Sequence, residues 1–298
     1  MRPIRIGSRG SELALWQANH VKNQLEKLGA EVSITIIKTQ GDQIQHLSFD
    51  KLEGKGFFTK EIEEALLANE IDLAVHSHKD LETTPPDGLV IAAVSERENP
   101  ADVLLIHPSA VDSTQEWGLK ENAIIGTSSA RRKAQIVAFR PDLEIKDLRG
   151  NVPTRLNKLV AGEYDAIMLA KAGLDRLELD LQGMTEFVMD PEEFIPAPAQ
   201  GVLGLQIREE DTELFDLIQA MNNKEVAAKI RIERLVLNKM DGGCQLPLGV
   251  YCPEPGKVVV AYAKNWEEGS EWFQFEGEHD DDLADIVVEE LMEFQNED

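Results

Sequence analysis

The sequence predicts an α/β protein with two lobes, each built on a parallel-dominated sheet, and a smaller third α/β domain with a three-stranded sheet. Near-continuous apolar strands alternate with amphipathic helices through both lobes, which is typical of a parallel sheet covered by helices. The pattern Asn-Glu-Ile-Asp-Leu-Ala at 69–74 is echoed by Gly-Glu-Tyr-Asp-Ala-Ile at 162–167, each between a helix and a strand. This echo favours duplicated lobes. We predict that domain 1 comprises residues 1–97 and 200–215, domain 2 residues 98–199 and domain 3 residues 216–298.

The first lobe is predicted from two helical patterns and four short apolar runs. Apolar residues recur at helical spacing from Leu13 to Leu28, and Gly29 ends the pattern. Thr59, followed by acidic residues, predicts the N-cap of the second helix. In order, we predict a strand from residue 5 into a Gly/Ser turn, a helix at 13–28, a strand at 32–37, a mobile loop at 41–56, a helix ending near 68, and strands at 71–76 and 89–94.

The second lobe repeats this pattern, and the third domain follows a proline-rich connector. Predicted for the second lobe are strands at 103–106 and 123–126, a helix at 130–139 stopped by Pro141, a strand at 143–148, a helix at 154–160 and a strand at 164–170. The connector at 191–198 leads to a strand at 200–207 that returns to the first lobe. The third domain is predicted to have helices between 214 and 240, strands at 250–251, 258–263 and 272–275, and a final amphipathic helix at 283–294.

Charge and composition exclude several classes of function. Residues 265–298 contain 14 Asp/Glu and no Lys or Arg, so they hold −14 of the formal charge of −25 and read as a solvated acidic surface. Such acidity argues against nucleic acid or an anionic membrane as a partner. No run of eighteen apolar residues and no signal peptide is present, so we expect a cytoplasmic protein that is not membrane-bound. Cys244 and Cys252 make neither a disulfide framework nor a zinc spacing.

Cationic and hydroxylic residues follow the predicted strands where ligands bind in parallel α/β sheets, at the carboxyl ends. They are Arg9, Ser11, Ser77, Lys79, Thr127, Ser128, Ser129, Arg131, Arg132, Arg149, Arg155 and Arg176. Gly-Thr-Ser-Ser at a helix start offers N–H groups and hydroxyls to an anion, and arginine forks suit carboxylates or phosphates. We infer a polyanionic small-molecule ligand in a cleft between two lobes. Carboxylate and phosphate ligands both stay open, although no Walker loop or dinucleotide fingerprint is present.

Asp80 is an acidic residue that follows the same predicted strand as Ser77 and Lys79. Beside Lys79 in a cationic cleft it could accept N–H hydrogen bonds or stabilise a cation on a substrate, or it could simply be an N-cap or an ion-pair partner of Lys79. His76 and His78 lie on one face of a strand, but without a third ligand nearby they do not make a metal site.

Cys244 stands behind two glycines, Gly242 and Gly243, between a long helical pattern and a strand. The glycines permit positive φ and leave the sulfur little shielded by neighbouring side chains. Two interpretations stay open from the residues alone. The cysteine is a small buried apolar residue in a turn, or it is an accessible thiol that carries a group covalently.

Together these residues resemble the hydroxymethylbilane synthase family, also called porphobilinogen deaminase, over nearly the whole chain. The matching segments, in order, are SRGSELA at 8–14, GKGFF at 54–58, AVHSHKD at 74–80, GTSSARR at 126–132, LRGNV at 148–152, PAPAQG at 196–201 and GGCQLP at 242–247. The resemblance implies two lobes like those of type 2 periplasmic binding proteins and a third domain that carries the cofactor cysteine.

The resemblance also implies the reaction and the residues that perform it. A dipyrromethane cofactor is expected on Cys244 through a thioether, and four porphobilinogen units are deaminated, joined head to tail and released as 1-hydroxymethylbilane by a monomeric transferase. Asp80 is expected to be catalytic, as hydrogen-bond acceptor for pyrrole N–H groups and stabiliser of the cationic azafulvene. Expected to bind the cofactor are Lys79, Ser77, Thr127, Ser129, Arg131, Arg132, Arg149 and Gly150. Expected to bind substrate are Arg9, Ser11, Arg155, Arg176, Gln200, Gly201, Phe58 and Lys55, with the loop at 51–55 as a mobile cover.

Some positions depart from the family pattern, and two other functions share features with this sequence. Ala199 stands where glycine usually precedes Gln-Gly, which implies a stiffer hinge, and His78, Ala130 and Asn99 replace the common methionine, leucine and aspartate. A periplasmic-type binding protein would share the lobes but would need an export signal and has no use for Cys244. A phosphate-ligand transferase would fit the arginines but would be expected to show a phosphate loop or metal carboxylates.

Overall fold

The computed structural model describes residues 2–43, 58–243, 245–277 and 280–296. The described residues group into two compact units. The first unit holds residues 2–43, 58–98 and 201–228, and the second holds the described residues of 99–200 and 229–296. The predicted division into three domains stays a prediction.

The strands and helices have the following bounds. The strands are β1 (Ile4–Ser8), β2 (Val32–Ile36), β3 (Leu73–Ser77), β4 (Leu89–Val94), β5 (Asp102–Ile106), β6 (Ile124–Gly126), β7 (Glu144–Lys146), β8 (Ala166–Ala170), β9 (Thr185–Val188), β10 (Leu203–Arg208), β11 (Leu248–Tyr251), β12 (Lys257–Tyr262) and β13 (Glu271–Glu276). The helices are α1 (Glu12–Lys27), α2 (Gln40–Gln43), α3 (Lys60–Leu67), α4 (Ala130–Phe139), α5 (Val152–Val160), α6 (Lys171–Leu177), α7 (Thr212–Gln219), α8 (Lys224–Lys239) and α9 (Asp280–Asn296).

Each unit contains a five-stranded sheet of the same plan. The order is β2-β1-β3-β10-β4 in the first unit and β7-β6-β8-β5-β9 in the second. The first three strands of each order are parallel, and the fourth, β10 or β5, runs antiparallel to both of its neighbours. Four of five strands therefore point the same way in each sheet. The second unit also holds the antiparallel sheet β11-β12-β13, so the predicted fold class is confirmed.

The sequence echo between the lobes corresponds to one repeated structural device. Asp72 precedes β3, and its carboxylate accepts the backbone N–H of Arg5 on β1 at 2.9 Å. Asp165 precedes β8, and its carboxylate accepts the backbone N–H of Ile124 on β6 at 2.9 Å. In both units the same aspartate also donates its own N–H to the carbonyl of that partner residue. The sequence pattern thus marks equivalent points, at which a carboxylate before the third strand of the sheet order bonds to the second strand.

Side-chain caps fix the start of the helices that follow strand ends. Ser11 accepts the N–H of Ala14 at the start of α1, and Ser129 accepts the N–H of Arg132 at the start of α4. Asn151 does the same for α5 through the N–H of Thr154. Such caps satisfy backbone donors that have no partner within the helix. Thr59 occupies the predicted N-cap position of α3, but its side chain makes no capping hydrogen bond.

Apolar side chains of the helices and strands form separate cores around the sheets. In the first unit, Ala18, Val21 and Leu25 of α1 belong to one core with apolar residues of β1, β2, β3 and β10. In the second unit, one core lies around β5 and β6, and another joins α8, the three-stranded sheet and α9. No helix among the described residues combines the length and apolar character needed to cross a bilayer.

Strand β9 and helices α2 and α6 were not predicted, and one predicted strand begins late. The loop predicted at 41–56 was wrong for residues 41–43, which belong to α2. Strand β9 lies at the sheet edge with all four residues exposed, so it lacks the alternation that marks a half-buried strand. Helix α6 has only seven residues. The strand predicted at 200–207 begins at Leu203, because the N–H of Gln200 bonds to the carbonyl of Ala197 in a turn.

Candidate active site

In the first unit, two polar segments lie at one edge of the sheet because they follow the neighbouring parallel strands β1 and β3. After β1, the hydroxyl of Ser11 caps α1 at 3.3 Å from the N–H of Ala14. The guanidinium carbon of Arg9 lies 4.2 Å from the centroid of the Phe58 ring, a cation–π contact. These predicted substrate-binding residues therefore lie on adjoining parts of one unit.

The second segment of this edge carries the predicted catalytic residue. Ser77 ends β3, and its hydroxyl accepts a hydrogen bond from the side-chain amide of Gln17 at 2.9 Å. Lys79 and Asp80 belong to a single 3-10 turn directly after it. Asp80 is exposed and has no hydrogen bond or ion pair within the part of the chain that the structure describes. The carboxylate is therefore neither an N-cap nor the ion-pair partner of Lys79 here.

His76 belongs to a buried hydrogen-bond chain behind this edge. Its Nε2 lies 3.1 Å from Oε1 of Gln206, whose amide nitrogen donates to Glu63 at 2.9 Å. Burial lowers the pKa of His76 to about 4, and burial raises the pKa of Glu63. Since Oε1 of Gln206 can only accept, Nε2 of His76 is the donor. Among the described residues no group of His, Cys, Asp and Glu could hold a metal ion.

In the second unit, a hydroxyl cluster ties the ends of β6 and β7 together. Oγ1 of Thr127 accepts the N–H of Ser129 at 3.3 Å. The hydroxyl of Ser128 bonds both the N–H and the carbonyl of Leu148 at 3.0 Å. Since Leu148 precedes Arg149, these bonds bring the start of α4 and the segment after β7 to one sheet edge.

Arg131 and Arg132 of α4 point into the interior, where they share one carboxylate. Nη1 of Arg131 donates to Oδ2 of Asp102 at 2.6 Å, and Nη2 of Arg132 donates to Oδ1 at 2.7 Å. Burial alone would raise the pKa of Asp102, but the two guanidinium groups outweigh it and hold that pKa well below its usual range. Burial lowers the pKa of Arg131, and the charge of Arg132 adds to that effect. The group of three side chains thus carries one net positive charge in a buried setting.

Asp102 is a site residue that the sequence analysis missed. It is fully buried at the start of β5, directly before an apolar run. The signal in the sequence was a single carboxylate directly before an apolar run. A buried charge needs a partner, and the predicted site already contained several arginines. Nε of Arg132 is also buried without a hydrogen-bond partner in the described part of the chain.

Gln200 and Gly201, which follow the connector at 191–198, have different surroundings. The amide nitrogen of Gln200 is buried and donates to Oδ1 of Asp102 at 2.9 Å and to the carbonyl of Pro100 at 2.7 Å. Gly201 has φ of +89°, and a Cβ there would lie 2.4 Å from the carbonyl oxygen of Glu98. Only glycine fits that position. Ala199 also has positive φ, +60°, a backbone conformation that glycine adopts more readily than alanine.

The remaining predicted residues lie after β7 and on α6. Nε of Arg155 donates to the carbonyl of Gly150 at 2.7 Å, and Gly150 has φ of +112°. Arg149 is half-buried, whereas Arg176 is buried on α6. Cys244 and Lys55, together with the loop at 51–55, lie outside the described residues.

Comparison with known proteins identifies one family. A family model described as "Porphobilinogen deaminase, dipyromethane cofactor binding domain" matches residues 4–216. Porphobilinogen deaminase of Lawsonia intracellularis is 47% identical over 254 residues, 84% of this chain and 80% of that protein. The protein of the same name from Nitratidesulfovibrio vulgaris is 41% identical over 297 residues, 98% of this chain and 88% of that protein.

Solved structures similar to this chain include solute-binding proteins. An ancestral cationic amino acid solute binding protein has a TM-score of 0.45 and 14% identity, covering 74% of this chain and 87% of its own. A Salmonella typhimurium periplasmic binding protein with high arginine specificity has a TM-score of 0.40 and 14% identity, covering 76% of this chain and 94% of its own.

Proposed function

This chain belongs to the porphobilinogen deaminase family, and from that premise we propose that it is a hydroxymethylbilane synthase. It deaminates four porphobilinogen molecules, joins them head to tail and releases 1-hydroxymethylbilane for tetrapyrrole biosynthesis. The observation that carries this proposal is the match of residues 4–216 to the model of the cofactor-binding domain. The enzyme is a transferase, and we propose that it works as a cytoplasmic monomer.

The donor set of the second unit fits a cofactor with carboxylate side chains. Two buried guanidinium groups share the single carboxylate of Asp102, so one positive charge is left without a counter-charge within this cluster. We propose that Arg131 and Arg132, together with Thr127, Ser129, Arg149 and Gly150 of the same sheet edge and Ser77 and Lys79 of the first unit, hold the cofactor. Bound by a thioether to Cys244, the dipyrromethane supplies the attachment point for the product chain.

The substrate-binding residues are proposed from the resemblance, and the structure distinguishes Gln200 from the others. Proposed to contact porphobilinogen are Arg9, Ser11, Phe58, Lys55, Arg155, Arg176, Gln200 and Gly201. The cation–π contact of Arg9 with Phe58 orients a guanidinium at the edge where substrate carboxylates are expected. The amide of Gln200 is turned inward to Asp102. Gln200 therefore supports the site through its backbone position and through Asp102.

Asp80 is proposed as the catalytic carboxylate. Ammonia leaves the aminomethyl carbon of the substrate with the electrons of the C–N bond, and the carbon becomes cationic. An exposed carboxylate with no other ion-pair partner among the described residues can accept the pyrrole N–H and stabilise that cation. When the substrate carbon joins the terminal pyrrole of a bound chain in place of the lost amine, the pyrrole carbon that forms the new bond would lose its proton, which the carboxylate of Asp80 could accept.

The intact mass of the denatured protein tests this function. We expect the protein to carry the added mass of two linked pyrrole units and the Cys244→Ala variant to lack it. A further mass gain is expected when the cofactor-bearing protein is incubated with porphobilinogen. An unmodified protein from cells that make porphobilinogen, with no gain on incubation, would contradict the proposal and favour a binding protein.

A further inference from the structure

A buried carboxylate in the second unit, Glu233, has no role in the reaction described above. It lies on α8 with its side chain fully buried. Its Oε2 accepts the backbone N–H of Ala199 at 2.7 Å, and its Oε1 accepts the backbone N–H of Cys252 at 2.9 Å. Burying a carboxylate is costly unless hydrogen bonds compensate it. The two hydrogen bonds therefore compensate the burial of Glu233 and hold α8 against the backbone of Ala199 and of Cys252.

The two backbone partners belong to segments that matter for the cofactor. In the sequence, Cys244 lies between α8, which carries Glu233, and β11, which ends one residue before Cys252. Glu233 thus bonds across the two elements on either side of the attachment residue. Glu233 also bonds to Ala199, the residue directly after the connector. Within the connector, the carbonyl of Pro196 accepts the N–H of Val250 on β11 at 3.2 Å.

From the connector the hydrogen bonds continue to the arginine pair. Ala199 is followed by Gln200, whose amide donates to Asp102 at 2.9 Å. Asp102 holds Arg131 and Arg132 at the start of α4. A continuous path therefore leads from Cys252 through Glu233, the connector and Asp102 to the two guanidinium groups. Every link between different segments in this path is a hydrogen bond of 2.6–2.9 Å within the second unit.

We propose that Glu233 is a positioning residue, which holds the two elements flanking Cys244 at a set position relative to Arg131 and Arg132. This inference rests on the proposed function, since it concerns how the attachment residue and the carboxylate-binding arginines are kept in register. Precise positioning of reacting groups lowers the barrier of the chemical step rather than the affinity for free substrate. Loss of Glu233 should therefore lower kcat and leave KM largely unchanged.

The variant Glu233→Gln removes one acceptor and changes little in size. A glutamine has one carbonyl oxygen, so its NH₂ group would face either the N–H of Ala199 or that of Cys252. Glu225→Gln is the matched control, because Glu225 is an exposed residue of the same helix and loses the same charge. Both holoenzymes are compared by intact mass, by kcat and KM for porphobilinogen and by thermal unfolding, with kinetics measured well below both unfolding transitions.

We expect both variants to carry the cofactor mass, and KM to agree within about twofold, while kcat of Glu233→Gln is about tenfold lower than that of the control. A lower unfolding temperature with kcat equal to the control would overturn the inference, because a merely structural carboxylate would behave in that way. If the wild-type protein shows no cofactor mass and no turnover, the proposed function fails and the inference fails with it. An active wild type with equal variants overturns the inference alone.

Hydrogen exchange of the wild-type holoenzyme gives a second test that needs no variant. If Glu233 holds both N–H groups, the amides of Ala199 and Cys252 should both exchange slowly, by about a hundredfold or more relative to an unstructured peptide, and should respond together to mild denaturant. Rapid exchange of either amide would overturn the inference. This test holds even if the Glu233→Gln variant fails to fold.

Discussion

The two five-stranded sheets differ in one buried network on the antiparallel fourth strand, which is β10 in the first unit and β5 in the second. On β10 of the first unit, Gln206 bonds to His76 on one side and to Glu63 on the other. On β5 of the second unit, Asp102 bonds to Arg131 and Arg132. One plan of strands therefore contains a network linked by an uncharged amide in one case and an ionic network in the other.

The charge of each network indicates the kind of site that it can support. Gln206 supplies one donor and one acceptor without adding charge, and the ionic contact of β10 lies at the end of that strand, where Arg208 pairs with Asp72 at 3.1 Å. A carboxylate between two guanidinium groups leaves one positive charge uncompensated, which suits a site that receives anionic groups. In the first unit, Asp80 lies exposed directly after β3 and has no hydrogen bond or ion pair with the other residues that the structure describes.

The largest expected effect comes from breaking the ionic network. Asp102→Asn leaves two buried guanidinium groups without a counter-charge and should lower the free energy of unfolding by about 3–5 kcal/mol. Gln206→Met removes the hydrogen bonds of one uncharged side chain on the equivalent strand and should cost about 1–3 kcal/mol. Urea unfolding of both variants beside the wild type measures the two values. Equal costs, or a larger cost for Gln206→Met, would show that the two networks do not differ in the way described.

Acid should destabilise the first unit through His76. The folded-state pKa of about 4 lies below the ordinary value of 6.5, so this contribution to stability is complete above pH 6.5 and is lost as the pH falls toward 4. The loss amounts to about 3 kcal/mol. The raised pKa of Glu63 acts in the opposite direction, and the depressed pKa of Asp102 keeps that carboxylate ionised through this range.

A His76→Gln variant isolates this effect because it retains Glu63. Between pH 7 and pH 4.5 we expect the wild type to lose about 2–3 kcal/mol more unfolding free energy than the variant, measured by urea unfolding. An identical pH dependence of the two proteins would mean that His76 titrates as an exposed histidine does.

Asp80→Ala tests whether the first unit acts through its exposed carboxylate. We expect kcat to fall about a hundredfold or more, close to 3 kcal/mol of transition-state stabilisation, while the cofactor mass and the unfolding temperature stay unchanged. Asp87→Ala, at an exposed turn of the same unit, is the control. Normal turnover by the Asp80→Ala protein would remove this residue from the mechanism.

The smallest expected effect concerns the connector beside the ionic network. Ala199 has φ of +60°, and Ala199→Gly relieves that left-handed backbone at an entropic cost, so a net gain of about 0.5–1 kcal/mol is expected. Ala161→Gly, where φ is −72°, should give no gain. Differential thermal unfolding of the two variants measures this, and a loss of stability in Ala199→Gly would show that the positive φ is not strained.

The sequence by itself determined the class of fold, most of the strands and helices, and the family. These depend on local periodicity, on turn residues and on motifs that stand contiguous in the chain. It did not predict β9, whose four exposed residues form a strand because β5 offers them a pairing edge.

The tertiary structure alone decided which polar groups meet. Asp102 bonds to arginines 29 and 30 residues away, and Glu233 bonds to the backbone of Ala199 at a separation of 34 residues. Gln200, predicted to contact substrate, has its side-chain amide buried against Asp102. The physical reason is that a buried charge takes whichever partner the packing of distant segments brings within 3 Å, and no local pattern carries that information.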